Sequence, residues 1–230
     1  MVSTKLRAWA GVICLVGGGL GELLWYVVSP LDHSAKVADQ VTRVGAHLGA
    51  MRAALWVDVL VILMIPAVLY IGYVAGARTS RLAAAGTVLA FVPAVAAEFL
   101  ILNDVLIYEA AKQPDAGTAA ALVKAYQDSP LTSTLTLLYL LCTVVGFIML
   151  GIALLKARTI PVWAAVALLL YPVVLVVGGA SGAVAVSLVA NALALVGMAA
   201  CAVALLRSTG DRSGPSPQPR TSLADSAIRA

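Results

Sequence analysis

Apolar residues run along this chain in six long stretches, at about residues 8–28, 53–75, 82–103, 131–155, 161–180 and 183–206. Each is long enough to cross a hydrocarbon layer of roughly 30 Å as a helix. Inside such a layer the backbone must satisfy its own N–H and C=O groups, which a helix does. The pattern therefore predicts an all-α polytopic membrane protein with six transmembrane helices. The breaks between stretches carry turn chemistry: Ser29-Pro30, Arg78-Thr79-Ser80-Arg81, Asp128-Ser129-Pro130, Lys156-Ala157-Arg158 and Gly178-Gly179-Ala180-Ser181-Gly182.

Two connections are long enough to hold structure of their own. In the first, Val37, Val41, Val44, Leu48, Met51 and Leu55 recur at steps of three and four, with Lys36, Gln40, Arg43 and His47 on the opposite stripe. This spacing predicts a short amphipathic helix that runs straight into the second span. In the second, the third helix is expected to extend past Tyr108, and after Gln113-Pro114-Asp115 Thr118 is the expected cap of a short helix reaching about Gln127. From about residue 208 the chain turns rich in Ser, Pro and Arg, the composition of a disordered tail. The expected organisation is a transmembrane domain over 1–207 followed by a disordered cytoplasmic tail over 208–230.

Composition agrees with the pattern. The 230 residues are 62% hydrophobic and only 11% charged, where soluble domains carry about 25% charged residues. The formal charge of +4 comes from bases scattered between the apolar runs, without a basic stripe or interleaved aromatics, so nucleic acid is not an expected partner. Ten of the Lys and Arg residues fall on one side of the six spans (Lys5, Arg7, Arg78, Arg81, Lys156, Arg158, Arg207, Arg212, Arg220 and Arg229), and five on the other. The basic side is expected to be cytoplasmic, with both termini inside. Trp9 and Trp163 fall at the inner boundary, and Trp25 and Trp56 towards the outer one, as interfacial aromatic belts predict. Lys5 and Arg7 precede a first apolar run too long for a signal sequence, so that run is expected to stay as a helix. Cys14, Cys142 and Cys201 all lie in apolar runs and read as buried free thiols.

Against this background three acids stand out. Glu22, Asp58 and Glu98 each fall about 4–6 residues outward of a span centre, or roughly 6–9 Å at 1.5 Å per residue. A charge at such depth costs at least about 2.5–3.5 kcal/mol, so acids there mark a functional site by default. Gly17 and Gly21 let the first helix pack closely beside Glu22. With an unbroken second helix, His47 would lie three turns above Asp58 on one face. The plain alternative is that these acids are protonated or paired with Arg52 and hold helices together. Pro66, Pro93 and Pro172 predict three kinks near mid-span, with Tyr171 and Asn191 at similar depth. Gly72 and Gly76 read as a close helix contact rather than a dimer face.

Other chemistry is poorly represented. Asp32, His33, His47 and the acids match no metal-ligand spacing, and no metal or cofactor is expected. The sequence lacks a GxSxG elbow, an HExxH helix and a CxxC pair, so catalysis is not expected.

The opening Gly17-Gly18-Gly19-Leu20-Gly21-Glu22, the exit Val28-Ser29-Pro30, the outer His47 and the stretch from Leu154 to Ala165 give the chain a further likeness. Over roughly residues 8–205 it resembles small six-span actinobacterial integral membrane proteins, a family without an assigned reaction. The resemblance implies six helices and a plasma-membrane location, and carries over no catalytic residue.

The leading expectation is a transporter-like protein with an outward-facing acidic cavity. Glu22, Asp58 and Glu98 would bind a proton or cation there, and His47 and Arg52 would modulate access. The alternative is a non-catalytic structural or assembly subunit that meets a membrane-protein partner or a second copy within the lipid bilayer. An intramembrane enzyme ranks behind both.

Overall fold

A computed structural model of the chain describes residues 4–32, 34–76 and 78–210. His33, the tail from residue 211 onward and the side chain of Glu98 lie outside the described residues. The described chain is helical, in the order α1 (Thr4–Val28), α2 (Val37–Ala46), α3 (Leu48–Val61), α4 (Met64–Ala75), α5 (Ser80–Ala110), α6 (Ala116–Gln127), α7 (Pro130–Ala157), α8 (Val162–Ser181) and α9 (Val184–Gly210). No strand occurs among the described residues. Six segments are long and apolar enough to cross a membrane, with α3 and α4 together forming the second, over Leu48–Ala75. The chain is thus built as a multi-pass membrane protein.

Local chemistry accounts for the helix ends. Ser129 caps α7 by accepting from the Thr132 amide at 3.2 Å, with Pro130 in the first turn where a missing N–H costs nothing. α7 stops where Arg158 enters the left-handed region at φ 54°, and α8 stops at Gly182, φ 66°. Asp115, and not Thr118, caps α6. Its carboxylate accepts from the Gly117 and Thr118 amides, both at 3.1 Å, and from the Thr118 hydroxyl at 2.6 Å. Thr118 sits inside the first turn and serves its neighbour's cap.

The second span departs from a straight rod at two points. α2 does not run into α3: His47 separates them at φ −134°, ψ 40°. The turn lets α2 lie against α5 and α6 and bury Gln40, Val41 and Val44. Lower down, Pro66 has no amide proton and its ring crowds the carbonyl of Ile62. The chain responds with tighter bonds, Leu63 N–H to Leu60 O at 3.0 Å and Ile65 N–H to Ile62 O at 3.1 Å, which divide α3 from α4. Pro93 and Pro172 lie inside α5 and α8 without dividing them.

The buried side chains fall into two clusters. The larger gathers Leu15, Ile71, Leu150, Leu154, Leu168 and Met198 from α1, α4, α7, α8 and α9. The smaller, at the end of the bundle bearing α2 and α6, is built on Trp25, Val41, Val44, Met51, Ile107 and Val123. In lipid there is little hydrophobic drive between helices, so close backbone approach has to supply cohesion. Gly146 shows how tight that approach is, since a Cβ there would stand 2.5 Å from the Ala90 nitrogen of α5. A Cβ on Gly72 would collide with Thr87 of α5, so this glycine is used within the chain.

Candidate functional site

Between the two clusters lies a seam, and the acids occupy it. On α1, Glu22 falls between Leu15 of the larger cluster and Trp25 of the smaller; on α3, Asp58 falls between Val61 and Ala54. On α5 the corresponding residue is Asp104, between Ala90 and Ile107. All three acids line one cavity of about 400 Å³.

Glycines set this geometry. A Cβ at Gly21 would stand 3.0 Å from both the Leu60 carbonyl carbon and the Val61 nitrogen, and one at Gly18 would stand 3.0 Å from the Met64 nitrogen. α1 therefore touches backbone at the α3–α4 break, and Glu22, one residue beyond Gly21, arrives beside the turn of α3 that carries Asp58. Asp58 faces the same cavity from α3 as Glu22 does from α1 and Asp104 from α5. Asp58 and Asp104 are each 5% exposed. The uncharged wall includes Trp25, Tyr26 and Tyr139, with Trp25 and Tyr26 edge to face at 5.1 Å between ring centres. Aromatic faces and carboxylates both favour a cation.

Of the residues expected from sequence, Glu22 and Asp58 are brought together. Glu98 lies on α5, with its side chain outside the described residues. His47 is exposed at the turn between α2 and α3, and the break there removes the shared face with Asp58. Arg52 is exposed on α3, while Asp58 is buried. Neither His47 nor Arg52 lines the cavity. Trp25 is buried at 8% exposure and serves as cavity wall, whereas Trp9, Trp56 and Trp163 are exposed as belt residues are. Tyr171 and Asn191 belong to the packed region: Tyr171 meets Phe147 edge to face at 5.1 Å, and Asn191 donates to the Ser187 carbonyl at 2.9 Å.

Asp104 is the functional candidate that the hydropathy pattern misses. It stands beside Asn103 at the polar edge of the third apolar stretch, on the part of α5 that runs on past Tyr108 to Ala110 as expected, and is 5% exposed there. The available signal is helical register. Ala97, Ile101 and Asp104 follow one another at steps of four and three and all line the cavity. Asn103 extends the site outward, accepting from Gln127 Nε2 at 2.9 Å and directing its own Nδ2 towards Asp104 Oδ1 at 3.4 Å. Among the described residues, no three acid, His or Cys side chains converge as metal ligands would.

Compared with protein-family models, with curated proteins and with solved structures, the chain matches none. Its own residues make it a six-span helical membrane protein with an acidic cavity in the seam of its bundle.

Proposed function

We propose that this chain is a transporter-like protein of the plasma membrane that binds a cation, either a proton or a small organic monocation, in its acidic cavity. The observation that carries the reading is the convergence of Glu22, Asp58 and Asp104, from three separate helices, on one space of about 400 Å³. Such a volume lies in the range of small-molecule pockets. Three carboxyls in one seam are too costly to be incidental, and the aromatic wall complements the same sign of charge. The positive-inside count supports a cytoplasmic side for both termini, an orientation in which the α2 and α6 end of the bundle faces outward. Glu22, Asp58 and Asp104 hold the cation, and the cavity's uncharged residues shape the space around it.

The test is uptake into proteoliposomes carrying a pH gradient, with guanidinium as probe. Asp58→Asn should abolish gradient-driven uptake. Glu22→Gln and Asp104→Asn should each weaken apparent affinity roughly thirtyfold, the effect of losing about 2 kcal/mol from a buried charge contact. Uptake that is the same in the triple amide variant as in the native chain would defeat the reading.

A further inference from the structure

Beside the acidic cavity lies a second chamber of about 240 Å³, and the two share Asn103 and Thr136 in their walls. The chamber is bounded by α2 through Gln40 and by α6 through Gln127, and its lining carries no charge. Gln40 is 3% exposed. Its Nε2 donates to the Ala35 carbonyl at 2.9 Å, while its Oε1 is buried with no partner. A buried amide oxygen without a donor is unfavourable, so this chamber suits an occupant that brings an N–H or O–H.

Asn103 stands between the two spaces with both ends of its amide engaged. It receives Gln127 on one side at 2.9 Å and turns to Asp104 on the other at 3.4 Å. The Tyr126 hydroxyl donates to the Phe99 carbonyl at 3.1 Å, adding a second bond from the end of α6 to α5. These two neutral bonds tie the end of α6 to α5 beside the chamber, and neutral bonds exchange readily with those offered by a ligand.

We infer that the chamber is the entrance of the acidic cavity and that the Gln127–Asn103 hydrogen bond is its latch. The cation that passes carries N–H donors, as an ammonium or guanidinium group does, meeting Gln40 first and Asp104 next. A quaternary ammonium has no donor to offer at either step. The inference rests on the cation-binding reading for its ligand class, but its test needs neither uptake nor a bound ligand.

In the full chain with Cys14, Cys142 and Cys201 replaced by alanine, Tyr139→Cys places a thiol in the acidic cavity, clear of the chamber. Its modification rate by 2-aminoethyl methanethiosulfonate is then measured in detergent. Gln127→Ala should raise that rate about three- to tenfold, the population shift expected from one lost hydrogen bond. Leu135→Trp, which fills the chamber, should slow it. A rate unchanged by either substitution overturns the entrance. Failure of the cation-binding reading would appear instead in the vesicle assay, with labelling still responsive to both variants.

Discussion

The two packed regions of this bundle are built by different means. The larger cluster joins its helices through close backbone contact, as at Gly146 against Ala90, and Thr143 and Asn191, buried on two of those helices, each donate to a carbonyl of their own helix. The smaller cluster is closed by two short helices, α2 and α6, and polar contacts surround it: the Arg43–Asp32 ion pair at 3.7 Å, the Asp115 cap, and the hydrogen bond from Gln127 to Asn103. Close packing fixes helices in one arrangement, whereas single hydrogen bonds at a wet boundary open and reclose at small cost. The division sets the part of the molecule held by close backbone packing on one side of the acids and the part tied by polar bonds on the other.

That contrast can be broken most forcefully in the larger cluster. Gly146→Leu drives a side chain into the α5 backbone and should destabilise the protein by about 1–3 kcal/mol, seen as a lower thermal midpoint in detergent. A smaller and more selective effect is expected at the α3–α4 break. Pro66→Ala restores an amide proton for the Ile62 carbonyl and straightens the segment pressed on Gly18 and Gly21. Guanidinium binding should weaken by about 1 kcal/mol, or roughly fivefold, without loss of thermal stability. Pro172→Ala, inside the undivided α8, should leave binding unchanged.

The smallest effect belongs to the exposed cap of α6. Asp115→Ala should speed hydrogen exchange at the Gly117 and Thr118 amides, with the global midpoint nearly unmoved. The Thr118 hydroxyl and the backbone amides hold the Asp115 carboxyl below its ordinary range. A folded-state pKa below the unfolded value contributes stability above the unfolded pKa, and that contribution is lost as pH falls through the folded one. Protection of these amides should therefore decline at acid pH in the native chain, and Asp115→Asn should keep the cap while removing the decline.

Much of this architecture is legible in the residues. Six apolar stretches specify six spans because a bilayer admits few alternatives to a helix, and an acid inside such a stretch is conspicuous, as Glu22 and Asp58 are. Asp104 is not, because the run of apolar residues ends just before it while the helix continues for almost two turns more. The bend at His47 is equally hidden. The three-and-four spacing from Val37 to Leu55 continues through it, and only the docking of α2 on α5 and α6, a tertiary contact, obliges the chain to turn. Pro66 announces its disturbance in sequence, as do Pro93 and Pro172, but which of the three divides a helix depends on the packing around each.

The placement of one carboxyl on each of α1, α3 and α5 has a mechanical corollary. Where the carboxyls are ionised, like charges on separate rods push those rods apart, and on the proposed reading a bound cation would draw them back, so that filling the seam would also fasten the bundle. Affinity and cohesion become the same free energy measured in two ways: a guest present at a hundred times its dissociation constant adds about 2.7 kcal/mol to the folded state.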